Sequence, residues 1–372
     1  MSLDSRVTNI DADFFSNLKF TGSLRDYQEV VLNICLSKTV GIIEAMTGSG
    51  KTITFIALVV AKKQNTLILM HTKELLYQTI KAFTKFTNVK SGDIGIIGDG
   101  KLIIKPITVG LHQSMHRQPD NLFKELSEYF GMIIADEVHI VAANTYYKTM
   151  TNLCSKYKFG FSATPKRNDG LTEVIHWATG PKIHIVPKEK LDNVLIKPSY
   201  KKIRTNYYFP LMSSREHSML MNDLAQDTAR NNLIFNTLKE YKGKYLCLLC
   251  VRLSQVHILH KMFGKKNAVI LTSKMKKKDR EESMDKILSG QVLVIISTYA
   301  LFSTGIDIPK LEVLALCAPM SSDVILLQAA GRLMRMAEGK TTATVIDFID
   351  DKIDLLKIQY YKRNRILKEI LN

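Results

Sequence analysis

A chain of 372 residues with 46% hydrophobic and 23% charged side chains has ordinary globular composition. It also exceeds the length at which one core keeps growing, which excludes wholesale disorder and points to two domains. Its net charge of +17 is spread over both halves, with 27 Lys and Arg against 18 Asp and Glu in residues 1–205 and 25 against 17 in 206–372, so a basic tail on a neutral body is excluded.

Five scattered cysteines (Cys35, Cys154, Cys247, Cys250, Cys317) do not suit a disulfide framework. Met1–Ser16 lacks a signal-peptide pattern, and no apolar run approaches the roughly 18 residues of a membrane span. The expectation is a soluble monomer of the cytoplasm, or of the nucleus in a eukaryote, with no membrane partner. Two basic lobes suit a polyanion held across both through its phosphates; a generally solvated Lys-rich surface is the alternative reading.

Taken in chain order, apolar runs alternate twice over with helix-like segments, the signature of open parallel sheets flanked by helices. The strands predicted in the first half are Val40–Ile43, Thr66–Met70, Asp93–Ile97, Ile107–Val109, Met132–Ala135 and Lys158–Ser162. Residues 180–215 are Lys-rich, contain Pro181, Pro187, Pro198 and Pro210, and form the connection, with short alternating strands at most. Asn222–Tyr241 is predicted helical, burying Leu224, Leu233, Ile234 and Leu238.

The second half carries predicted strands at Tyr245–Val251, Ala268–Leu271, Val292–Ser297, Val313–Ala318 and Ala343–Phe348. Cys247-Leu-Leu-Cys250 has the spacing of a zinc knuckle, but it lies inside an apolar run with no second ligand pair, so core packing is expected. The basic stretch from Lys357 to Lys368 reads as an amphipathic helix docked on the surface, with a nucleic-acid contact as the alternative. The fold expected is α/β, with a boundary between domains 1–205 and 206–372.

Between the first strand and an apolar helix lies Ala45-Met46-Thr47-Gly48-Ser49-Gly50-Lys51-Thr52, a phosphate-binding loop in which Ala45 replaces the usual first Gly. Backbone N–H groups of Thr47, Gly48, Ser49 and Gly50 can cradle phosphates, Lys51 can reach the β/γ oxygens, and the Thr52 hydroxyl can hold Mg²⁺. At the end of the Met132–Ala135 strand stand two adjacent carboxylates, Asp136 and Glu137, delivered to the ligand edge of a parallel sheet. ATP and Mg²⁺ are therefore the expected cofactors.

With these blocks in order, the chain from about residue 22 to 348 resembles a superfamily 2 helicase of the DExH type, with two tandem RecA-like domains and an ATP cleft between them. Leu24-Arg25-Asp26-Tyr27-Gln28 resembles the block that reads adenine, giving Arg25 and Gln28 a place at the nucleotide; an exposed Gln on a helix is the alternative. Asp136-Glu137-Val138-His139 resembles motif II, which implies Asp136 for the metal, Glu137 for the general base, and His139 for coupling hydrolysis to nucleic acid or for a structural hydrogen bond.

Ser162-Ala163-Thr164 resembles motif III, with Ser162 and Thr164 in coupling. Ser303 to Pro309 resembles motif V, with Gly305 and Asp307 at the nucleotide. Gln328-Ala-Ala-Gly331-Arg332-Leu-Met-Arg335 resembles motif VI, implying catalytic roles for Gln328, Arg332 and Arg335, the two arginines at i and i+3 on one helix.

Similar blocks imply strand contacts at Thr72 and Lys73, at Gly110 and Gln113, at Arg252 and at Thr298, each with loop capping as the alternative. Ser162 through Gly170, then Gly180-Pro181, looks most like the XPB/UvsW branch, except that Asn168 stands where the XPB type carries Glu. The resemblance implies a DNA helicase or translocase acting on forked or branched DNA; an RNA helicase and a non-hydrolysing ATP-binding scaffold are the alternatives.

Overall fold

The computed structural model describes residues 9–138, 143–163, 172–191, 194–210, 216–273, 275–303, 308–320 and 322–371. It divides into two compact units, Met1–Leu191 and Asp192–Asn372.

The first unit holds strands β1 (Val40–Glu44), β2 (Thr66–Met70), β3 (Gly95–Gly98), β4 (Lys101–Ile103), β5 (Ile107–Leu111), β6 (Met132–Asp136), β7 (Tyr157–Ser162) and β8 (Lys182–Ile185). They form one sheet in the order β4-β3-β5-β2-β6-β7-β1-β8, parallel except for the β3–β4 hairpin. Strands β2, β5 and β6 are buried along their whole length, because helices cover both faces and leave no side to alternate with water. The core collects Leu67, Leu69, Ile133 and Ala135 of the sheet against Phe123, Leu126, Tyr146 and Met150 of the flanking helices.

The second unit holds β9 (Ser199–Arg204), β10 (Leu246–Cys250), β11 (Ala268–Leu271), β12 (Val294–Thr298), β13 (Val313–Leu316) and β14 (Thr344–Ile349), all parallel, in the order β11-β12-β10-β13-β14-β9. Cys247 and Cys250 are fully buried inside β10, as its apolar pattern required. Asn222–Tyr241 is two helices rather than one, His217–Gln226 and Thr228–Lys239. They part at Asp227, whose carboxylate accepts the Arg230 N–H at 2.6 Å and caps the second. The C-terminal helix, Asp354–Leu371, is docked through Leu356, Ile366, Leu367 and Ile370.

The expected boundary at 205/206 lies 14 residues beyond the observed division at 191/192. The physical reason is β9: Ser199–Arg204 pairs residue for residue with Thr344–Ile349, which draws it into the second sheet. Two buried ion pairs, unforeseen in the sequence, tie this sheet to its helices. Arg230 grips Asp350 at 2.8 and 2.9 Å, and Arg363 grips Asp347 at 3.0 Å. Each guanidinium also donates to a backbone carbonyl, of Cys317 and Met320 respectively, so these desolvated charges are matched donor to acceptor.

Candidate active site

Strand β1 ends at Glu44 and delivers Ala45 to the sheet edge, where its N–H donates to the Ser162 carbonyl at 2.8 Å. Ala45 lies outside the left-handed region, so a Cβ is tolerated where the pattern asks for glycine. The next two glycines are different. Gly48 and Gly50 have φ of +92° and +82°, and a Cβ on Gly50 would lie 2.4 Å from Gln28 Nε2. Gly50 caps the Lys51–Lys62 helix with no side-chain acceptor, leaving the helix N-terminus available to an anion.

The loop is held from below. Gln28, 2% exposed, donates to the Ser49 carbonyl at 2.9 Å and accepts from the Arg25 N–H at 2.9 Å. Tyr27 adds a 2.7 Å hydrogen bond to the same carbonyl, and Arg25 in turn donates to the Tyr27 hydroxyl. Gln28, expected at the adenine base with an exposed helical Gln as the alternative, is thus a buried support of the phosphate loop, a role that the sequence did not suggest.

Lys51 Nζ lies 2.9 Å from Glu137 Oε1 and 3.3 Å from the Ala45 carbonyl. Glu137 reaches it by leaving β6 with φ +49°, a conformation that costs a non-glycine residue on the order of 1–3 kcal/mol. Its N–H donates to Phe161 O at 2.8 Å and to Asp136 Oδ1 at 3.0 Å, which holds the turn. Burial, and then the neighbouring Glu137 carboxylate, push Asp136 up to about 7; a divalent cation would reverse that preference. Strand β7 lies between β1 and β6, so buried Ser162 stands between the loop and the two carboxylates.

The hydroxyls of Thr47 and Ser49 are buried with no hydrogen-bond partner among the described residues. With the positive-φ glycines and the uncapped helix N-terminus, they fit a polyphosphate. Asp136 and Thr52, an acidic oxygen and a hydroxyl, fit Mg²⁺.

In the second unit, Arg332 is 7% exposed, donates to the Phe302 carbonyl and stacks 5.4 Å from the Phe302 ring. Gln328 is buried nearby on the same helix, Asp323–Leu333, with Oε1 lacking a partner. Arg335 departs from expectation: the helix stops at Leu333, and Arg335 forms a single antiparallel bridge with Leu195. Beyond that end, Lys340, a buried lysine, donates to the carbonyls of Leu333 at 2.5 Å and Arg335 at 2.8 Å, so the last helical carbonyl has a side-chain donor in place of a further turn.

Of the expected strand contacts, Thr72 caps the Lys73–Phe86 helix by accepting the Leu75 N–H at 3.3 Å, and Lys73 pairs with Asp99. Gly110 is buried in β5, while Gln113 is exposed just beyond it. Arg252 donates to the Ser218 hydroxyl at 3.0 Å, and Thr298 ends β12, partly exposed. His139, Thr164, Gly305, Asp307 and Asn168 lie outside the described residues.

Two family models match the chain: "Type III restriction enzyme, res subunit" over residues 21–167 and "Helicase conserved C-terminal domain" over 218–337. The ATP-dependent RNA helicase L396 of Acanthamoeba polyphaga mimivirus is 29% identical over 95% of this chain and 69% of its own length. The DNA 3'-5' translocase XPB2 of Sulfurisphaera tokodaii is 27% identical over 88% and 82%. The S. cerevisiae Dbp5 structure bound to RNA and ADP BeF3 superposes with a TM-score of 0.65 over 93% of each chain at 14% identity, a likeness of fold.

The two units are tandem RecA-like domains. The chain belongs to the superfamily 2 helicases, related to the XPB/UvsW-type proteins, and its class is that of a nucleotide-dependent ATPase and helicase.

Proposed function

We propose that the chain is an ATP-dependent DNA helicase or translocase that couples hydrolysis to unwinding or branch migration of forked or branched DNA. The observation that carries the hydrolytic part is the 2.9 Å contact of Lys51 with Glu137 beside two buried hydroxyls that have no internal partner. In this reading the Lys51 ammonium exchanges the Glu137 carboxylate for β/γ-phosphate oxygens, and the released Glu137 orients and deprotonates the attacking water. Asp136 and Thr52 hold Mg²⁺, which neutralises phosphate charge when bound.

Motif resemblance gives Arg332, Arg335 and Gln328 the γ-phosphate, and gives Arg25, Gln28, Gly305 and Asp307 the rest of the nucleotide. It also assigns coupling to His139, Ser162 and Thr164. Net charge of +17 suits a phosphate backbone, and Thr72, Lys73, Gly110, Gln113, Arg252 and Thr298 are the strand contacts of this reading.

Lys51→Ala and Glu137→Gln should each lower steady-state ATP turnover at least about 100-fold while strand binding stays measurable. Steady-state hydrolysis retained by Glu137→Gln would remove the general base from the scheme. An RNA substrate is the second reading, favoured by the RNA-helicase name of the 29% identical mimivirus relative. Stimulation of ATPase by single-stranded DNA, forked DNA, four-way junctions and RNA duplex at one salt concentration separates the two.

A further inference from the structure

The β3–β4 hairpin brings an acidic residue to the corner where the strand contacts of the first unit gather. Its two-residue turn is Asp99-Gly100, with φ of +53° and +75°, the combination that a type I′ hairpin turn demands. Strand β3 runs parallel to β5 with Ile97 opposite Gly110, so the hairpin tip emerges at the same sheet edge as the Gly110–Ser114 segment. A Cβ on Gly98 would stand 3.2 Å from Ser114 Oγ.

At that edge Asp99 Oδ1 lies 2.5 Å from Lys73 Nζ, and Asp99 Oδ2 accepts the Tyr77 hydroxyl at 2.8 Å. Lys73 opens the Lys73–Phe86 helix and Tyr77 follows one turn later, on the same side of it. Two donors of the kinds that hold nucleic-acid phosphates, an ammonium and a phenol, therefore converge on the two oxygens of one carboxylate. The side chains of Lys73 and Asp99 are 59% and 32% exposed, so a polyanion in solvent can reach the pair.

We infer that Asp99 is a built-in stand-in for a strand phosphate: it occupies Lys73 and Tyr77 until a nucleic-acid phosphate takes its place, and so lowers strand affinity. The inference rests on the reading of Lys73 as a strand contact. Because the pair is exposed, its contribution is modest, as suits a motor that must release its track as well as hold it.

Asp99→Asn in the full chain tests this directly. Asn-Gly is the preferred type I′ pair and the side chain is isosteric, so the hairpin is retained while the negative charge is lost. Binding of a fluorescent oligothymidine, followed by anisotropy between 50 and 200 mM salt, should tighten about two- to fivefold at the low-salt end. The log–log salt slope should steepen by about 0.7, the increment for one additional single-strand phosphate contact.

The gain should vanish in the Lys73→Gln background. Asp99→Asn binding equal to or weaker than wild type, or a gain that persists without Lys73, would overturn the inference alone. A wild-type protein that binds no oligonucleotide would overturn the strand-gripping reading and this inference with it.

Discussion

Thr47 and Ser49 carry buried hydroxyls that no group among the described residues satisfies, and such groups ordinarily cost about 1–3 kcal/mol each. A protein keeps that cost where a ligand repays it, so removing the hydroxyls should have opposite effects on folding and on binding. Ser49→Ala and Thr47→Val are expected to leave the nucleotide-free protein as stable as wild type, or more stable by up to about 1 kcal/mol, while weakening ATP affinity roughly three- to tenfold. Thermal melts without nucleotide and titration with a fluorescent ATP analogue provide the two readings. A loss of stability with affinity intact would mean that the hydroxyls serve the fold.

At the level of elements, the short His112–His116 helix that follows β5 carries another unsatisfied polar group. Both ring nitrogens of His112 are buried without a partner, its ring packs 5.6 Å from Tyr146, and burial pushes it down to about 3. In the unfolded chain it titrates near its ordinary 6.5. Between those values the unfolded state binds the extra proton, so stability is full above about 6.5 and falls as pH drops toward 3. The loss should reach on the order of 2–3 kcal/mol by about pH 4.5. His112→Leu removes this component, so denaturant melts at pH 7.5 and pH 4.5 should differ less for the variant than for wild type; an unchanged difference would show that the imidazole already titrates at its ordinary value.

How far the elements were legible follows from what builds them. Strands β2, β6 and β10 are built on continuous apolar runs because both faces are covered, and that pattern is written in the chain itself. Strands β4 and β8 are edge elements with exposed residues among them, and their existence depends on a neighbour: β4 on Ile96 and Ile97 of β3, β8 on Ile42 and Ile43 of β1. Periodicity therefore gave no sign of β4, and for β8 no more than the short alternating strands allowed in the 180–215 connection. The phosphate loop and the acidic pair were legible because their chemistry is local. Support of Ser49 by Gln28 and Tyr27, the Lys340 ammonium on the last carbonyl of the Asp323–Leu333 helix, and the capture of Lys73 by Asp99 join positions apart in the chain and could only be seen folded.

Across the whole molecule, the division at 191/192 gives each unit its own buried cluster, one around Leu67, Ile133 and Tyr146 and the other around Leu248, Ala315 and Phe348. Units of this size with separate cores are natural units of cooperative unfolding, so calorimetry should resolve two transitions. The phosphate loop, Asp136 and Glu137 all belong to the first unit, and a ligand stabilises whatever folded state binds it. A slowly hydrolysed ATP analogue with Mg²⁺ at about 100 times its Kd should therefore add about 2.7 kcal/mol to the unit that carries the loop. That corresponds to a rise of roughly 5–10 °C in its transition. Lys51→Ala should abolish the shift, and Ser49→Ala should reduce it. If the analogue moved only the transition of residues 192–372, identified by limited proteolysis along the melt, the phosphate-binding assignment of the first unit would fail regardless of which nucleic acid stimulates turnover.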